Sequence, residues 1–134
     1  MKQEDIKFKV WIPYSKIMMQ PKSIHTIQHE QISGMTVGQF ESWVYLQYTL
    51  MKDMDGNEIY DGDILRHHLT YENSDIIPIV KVIREEGQFK FKSLNSPYNP
   101  PLNWISSGYR VIGNIYQPPI EILEKNNCEL VYKK

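Results

Sequence analysis

Two glycine turns set five residues apart constrain this chain more than any other feature. Asp55-Gly56 and Asp61-Gly62-Asp63 each offer the positive φ values and the local side-chain hydrogen bonding that a tight reversal needs. Between them there is room for only a short strand. Trp43 to Met51 (WVYLQYTLM), before the first turn, is rich in aromatic and β-branched residues and reads as a strand. Ile64 to Tyr71, after the second, reads as another.

Period-two patterning continues on both sides. Ile6, Phe8, Val10 and Ile12 point one way while Lys7, Lys9 and Trp11 point the other, the signature of a half-buried strand. Pro13-Tyr14-Ser15-Lys16 reads as a turn and Ile17-Met18-Met19 as the return strand. Asp75 to Arg84 reads as a strand that Pro78 places at an edge or a bulge. Glu85-Glu86-Gly87 joins it to Gln88-Phe89-Lys90-Phe91-Lys92, the clearest hairpin of the second half. Residues 93–108, with three prolines, three asparagines and four serines, read as a long surface loop anchored by Trp104. Tyr109 to Tyr116 closes the sheet around Gly113-Asn114, and Pro118-Pro119 opens a short helix through Ile120, Ile122 and Leu123. Residues 20–42 are ambiguous: Ser23 to Ile32 suits a short strand or a helix, and Ser33-Gly34 and Val37-Gly38-Gln39-Phe40 suit loop and turn. The fold class is all-β, mostly antiparallel, with at most one or two short helices.

Composition bounds the chemistry. A chain of 134 residues, 41% hydrophobic and with nine Tyr, four Phe and three Trp, can bury a core without a metal or disulfide staple. Cys128 is the single cysteine, so no intramolecular disulfide forms, which suits a reducing compartment. The opening MKQEDIKFKV lacks the basic start and apolar run of a signal peptide, and no apolar stretch reaches membrane-spanning length; a cytoplasmic protein is expected. Lys+Arg against Asp+Glu runs six to seven over residues 1–60, six to six over 61–110 and three to three over 111–134. No segment is basic enough for the electrostatic footprint of non-specific nucleic-acid binding.

Several constellations imitate catalytic or metal sites. Asp53-Met54-Asp55-Gly56-Asn57 spaces oxygen ligands like a calcium loop. Counted from Asp53, however, the sixth position is Glu58 rather than Gly and the twelfth is Ile64 rather than Glu. His25 and His29 have the i, i+4 spacing of helical metal ligands, but Thr26 stands where the accompanying glutamate belongs. His67 and His68, adjacent on a strand, point to opposite faces. Asp61 and Asp63 flank a turn glycine, where aspartates bond their own backbone. Glu85-Glu86 reads as a solvated hairpin end, and Cys128 has no activating neighbour in sequence. No phosphate-binding glycine loop and no G-x-S-x-G motif occurs. No catalytic residue, cofactor or metal is therefore expected. Tyr45, Tyr48, Phe89, Phe91 and Trp104 are the candidates for a stacking surface, although Phe89 and Phe91 also suit a core. Lys90 and Lys92 point away from those two phenylalanines and form a small basic stripe.

Three ordered blocks carry a family resemblance. Gln47-Tyr48-Thr49, Lys52-Asp53, Gly56, Glu58-Ile59-Tyr60 and Gly62-Asp63-Ile64 resemble the central signature of the YopX family of phage and prophage proteins. Ile6-Lys7-Phe8-Lys9-Val10-Trp11 is similar to its opening strand, and Val111-Ile112-Gly113-Asn114-Ile115-Tyr116 with Pro119 to its closing motif. Leu50 departs from the family, which has Gly after the triplet; either the backbone there does not use positive φ or the family's bend is altered. The resemblance implies one domain over 1–134: an N-terminal β-hairpin region at 1–57, a small SH3-like barrel region at 58–125 and a tail at 126–134. It also implies a bacterial host's cytoplasm and supplies no catalytic residues. The expected function is a non-enzymatic accessory module contacting a host or phage protein, or a second copy of itself. The alternative is a single-stranded nucleic-acid binder. The expected surface is Tyr45, Tyr48, Lys90, Lys92 and Trp104; Asp55, Gly56, Asp61, Gly62, Asp63, Gly113 and Asn114 are expected to serve the turns.

Overall fold

The computed structural model describes residues 6–23, 43–68, 77–126 and 128. Within them the chain forms eight strands and two short helices: β1 Lys7–Ile12, β2 Ile17–Ser23, β3 Val44–Lys52, β4 Glu58–Tyr60, β5 Asp63–His67, β6 Ile79–Glu85, β7 Gln88–Ser93, α1 Leu102–Gly108, β8 Tyr109–Asn114 and α2 Ile120–Lys125. The strands make two four-stranded sheets, β2-β1-β3-β4 and β7-β6-β5-β8. Every pairing with a described register is antiparallel. The all-β expectation holds. His25, His29 and the rest of the ambiguous stretch 24–42 lie outside the described residues.

The chain divides into two compact units, Met1–Tyr48 and Thr49–Lys134. In the first, β1 is the central strand: Val10 faces Met19 on β2 and Tyr45 on β3. The β1–β2 register slips between Phe8 and Val10, where Lys9 stands against both Gln20 and Pro21. A proline that cannot donate to the ladder is tolerated at such a bulge on an edge strand. Lys16 takes the left-handed conformation that closes the hairpin, φ 55°.

In the second unit both faces of the β7-β6-β5-β8 sheet are apolar. One core gathers Ile59, Leu65, Val80, Val82, Phe91, Ile105 and Tyr109. The other sets Ile64 and Ile79 against Leu123 of α2 and Cys128. Ile59, Leu65, Ile79 and Ile105 are fully buried, each contributing roughly 1.5–3 kcal/mol of hydrophobic stabilisation. The period-two pattern of β6 and β7 assigns the faces: Val80, Val82 and Phe91 turn to the first core, while Lys81, Ile83, Lys90 and Lys92 turn to the other side.

Three local expectations are corrected. Pro78 does not mark an edge or a bulge: β6 is central, between β7 and β5, and Pro78 lies just before its first residue, where no ladder donor is lost. The 93–108 segment is not loop throughout, because α1 begins directly after Pro101, whose φ −60° and ψ 146° turn the chain into the helix. Its anchor is Ile105 rather than Trp104, which is 55% exposed. At the β3–β4 reversal only Gly56 takes positive φ, 83°; Asp55 does not.

Candidate interaction surface

The signature segment proves to be backbone chemistry. Thr49 donates its hydroxyl to the carbonyl of Ile59 at 2.7 Å and accepts the N–H of Met51 at 3.1 Å. The residue between, Leu50, sits at φ 69°. A left-handed bend that glycine adopts freely is thus made with a leucine in place, against the steric cost of its Cβ. This corrects the first of the two alternatives drawn from the sequence: the backbone does use positive φ at Leu50, and Thr49 closes the bend.

Asp53 shows why the calcium-loop pattern is a lure. Its carboxylate is buried and accepts the N–H groups of Asp55 and Asn57 at 2.9 Å, the N–H of Val111 at 3.0 Å and the Asn57 side-chain amide at 3.3 Å. Burial would raise its pKa, but the hydrogen bonds from Val111, Asn57 and Asp55 outweigh that and hold it below the usual carboxylate value. Both oxygens are committed to protein donors. Asp63, also buried, accepts the N–H of Tyr60 at 2.7 Å across the Asp61-Gly62 turn. Asp61 stands near Tyr116, whose phenol burial and the Asp61 charge push upward in pKa.

The closing motif has an equally local cause. Asn114 accepts the N–H groups of Tyr116 and Gln117 through Oδ1, at 2.9 and 2.8 Å. A Cβ on Gly113 would lie 2.8 Å from Pro119 Cδ and 3.1 Å from the Gln117 carbonyl. Only glycine lets this turn fold back on its own strand.

The histidines depart from expectation. Their rings do not point to opposite faces but lie 4.9 Å apart, inclined at 36°. The alternation rule fails because β5 ends at His67. His68 has left the ladder: both its main-chain N–H and its ring Nδ1 donate to the Gly108 carbonyl at 2.9 Å. Nδ1 therefore carries the proton, since a carbonyl oxygen only accepts. Four strand steps separate Asp63 from His67, roughly 13 Å at strand rise, so these groups do not form an acid–base pair. Among the described residues no three His, Cys, Asp or Glu converge as a metal site would require. Cys128 is buried in the second core, and burial raises its thiol pKa to about 11.

The expected surface residues fall in different places. In the first unit Tyr48 is buried, with the Lys7 ammonium 5.8 Å from its ring centroid, and Tyr45 packs edge-to-face on Phe8 at 6.4 Å. Their ring faces are engaged in packing. In the second unit Lys90 and Lys92 are exposed on β7, Lys90 within 3.4 Å of Glu85. Trp104 stands on α1 at the rim of an open groove of about 520 Å³, lined by Pro78, Val80, Ser93, Tyr98, Pro101 and Tyr109 among others, none charged. Because Val80 and Ser93 are cross-strand neighbours, the groove prolongs the face that carries the first core. Tyr98, at 82% exposure, is a second solvent-facing aromatic of its lining.

Tyr98, Asn95 and Asn126 were missed by sequence reasoning. Asn95 donates to the carbonyls of Ile77 and Asn126 and accepts the N–H of Ile79, while buried Asn126 accepts the N–H of Ile77 at 2.7 Å. These two amides hold the chain entering β6. For Asn95 the only signal in the sequence was the asparagine-rich composition of the 93–108 segment, and nothing local distinguishes it from Asn103; Asn126, outside that segment, carried none.

The family model described as YopX protein matches residues 7–124. No curated protein sequence matches. Among solved structures the chain is similar to the crystal structure of protein EF1440 from Enterococcus faecalis. That likeness has 23% sequence identity and a TM-score of 0.58, covering 87% of this chain and 97% of that one. At that identity it speaks to the fold.

Proposed function

This chain belongs to the YopX family, and on that premise we propose that it is a non-enzymatic protein-interaction module of phage or prophage origin. It would act in the host cytoplasm, with the β5–β8 sheet as a small SH3-like barrel and the groove at Trp104 as its docking surface. One observation carries the reading: Trp104 and Tyr98 stand more than half exposed while lining an uncharged groove. Clustered solvent-facing aromatics of this kind are costly to leave bare and are the usual anchors of protein interfaces. The carboxylates of the signature, Asp53 and Asp63, are occupied by backbone donors, which supports a structural role for that segment over a catalytic one. The absence of charge along the groove also weighs for a protein partner over a single-stranded nucleic acid, whose phosphates need a basic track.

The test is affinity capture from bacteria carrying the induced element, with wild-type protein, Trp104→Ala and, as a control, Tyr14→Ala at the exposed β1–β2 turn. A partner retained by wild type and Tyr14→Ala but lost with Trp104→Ala is expected. Equal retention by Trp104→Ala, or salt-dependent retention of single-stranded oligonucleotides in place of a protein, overturns the reading.

A further inference from the structure

Two of the three aromatic rings that line the groove are left to solvent. Tyr109, the third, is buried and packs edge-to-face with His67 at 5.0 Å. Neither the Trp104 nor the Tyr98 ring meets another ring or a cation among the described residues. Tyr45, Tyr48 and Phe89 differ in this, their rings being engaged by Phe8, Lys7 and Arg84. Two broad apolar faces therefore border a groove with no charged residue in its lining.

The uncommitted side-chain polar groups beside those faces are donors. Asn99 Oδ1 accepts the Ser93 N–H at 2.9 Å, which fixes the orientation of the amide. Its NH₂ has no partner among the described residues, and the same holds for the Trp104 indole N–H and the Tyr98 hydroxyl. Asn95, in the same lining, is committed to the chain entering β6.

This polarity narrows the occupant. A partner that covers the three donors displaces their water and must supply acceptors, because a donor buried without one keeps its full desolvation cost. A docked helix does not supply them, since its carbonyls are bonded within the helix. An ordinary extended strand supplies carbonyls but also brings N–H groups that need acceptors of their own. A proline-rich segment in the polyproline II conformation has open carbonyls, and its prolines carry no N–H. The uncharged lining offers no counter-charge to an acidic or basic stretch and so selects a segment without charge.

We infer that the groove at Trp104 receives an uncharged, proline-rich segment of a partner protein in the polyproline II conformation. Its proline rings pack on the rings of Trp104 and Tyr98. Its carbonyls accept from the Trp104 indole N–H, the Tyr98 hydroxyl and the Asn99 amide. This rests on the protein-interaction reading and supplies the partner's chemistry.

The probe is fluorescently labelled decaproline, titrated to millimolar concentration against the full chain and followed by anisotropy and by the indole N–H resonances of isotope-labelled protein. Binding is expected to shift the indole resonance that Trp104→Phe removes and to be insensitive to salt, since no charges meet. Trp104→Ala should abolish it, and Trp104→Phe, which keeps a ring without the donor, should weaken it roughly tenfold. Tyr14→Ala, far from the groove in sequence and exposed, should leave it unchanged. A Gly-Ser peptide of equal length should bind at least roughly tenfold more weakly, having neither the apolar rings nor the preset conformation. No decaproline binding, equal binding by Trp104→Ala, or tighter binding of cellohexaose or an oligothymidylate each overturn the inference. Decaproline that fails while a captured partner still depends on Trp104 overturns the proline assignment and leaves the groove reading standing. Decaproline bound at Trp104 with no protein captured from cells supports the assignment and counts against the module reading.

Discussion

Leu50 offers the sharpest test of the backbone argument. At φ 69° a leucine side chain is strained, and the left-handed conformation costs an L-residue about 1–2 kcal/mol that glycine avoids. Leu50 is 48% exposed, so truncation forfeits about half of the ~1.5–3 kcal/mol assigned to full burial. Leu50→Ala and Leu50→Gly lose that contribution nearly alike, and their difference isolates the backbone. Within an ordinary strand alanine is more stable than glycine by roughly 0.5–1 kcal/mol. Here relief of strain reverses the order, leaving Leu50→Gly above Leu50→Ala by about 0.5–1 kcal/mol and close to wild type. Urea unfolding followed by far-ultraviolet circular dichroism, with unchanged slopes, measures it. An alanine variant as stable as the glycine variant, or more so, would refute the claim that Thr49 and its hydrogen bonds impose the bend.

Other outcomes follow from the same geometry. Asp53→Asn puts an NH₂ where a carboxylate oxygen now accepts, and should cost about 2–3 kcal/mol at neutral pH. Because the folded pKa of Asp53 lies below its ordinary value of 3.8, its contribution is present above that value and lost as pH falls through the folded pKa. The gap between variant and wild type should therefore close in acid, as urea midpoints across a pH series would reveal. Gly113→Ala should destabilise by roughly 1–3 kcal/mol through overpacking, and adding Pro119→Ala, which removes the clashing Cδ, should recover part of the loss in a double-mutant cycle. Cys128, with its thiol pushed to about 11, should resist Ellman's reagent in the native protein at mildly alkaline pH and react fully once unfolded.

What was legible in the sequence was whatever depends on neighbours along the chain. Alternation marked β1 and β7, aromatic and β-branched composition marked β3, and Pro13 to Lys16, Asp55-Gly56 and Glu86-Gly87 located their reversals. Counting ligand positions disposed of the calcium loop before any fold was known, and three ordered motifs identified the family. Tertiary structure decided the rest, because it turns on contacts between residues far apart in sequence. Asp53 is committed by Val111, fifty-eight residues on. Asn126 is singled out by Ile77, and Gly113 by the return of Pro119. Periodicity also assumes that the strand continues, so it misplaced His68 once β5 ended at His67. It could not reveal that the signature turn reaches Val111 and Tyr109 on β8, or that an uncharged groove opens beside Trp104. Local sequence specifies φ, ψ and face; which faces and edges stay uncovered depends on how distant segments pack.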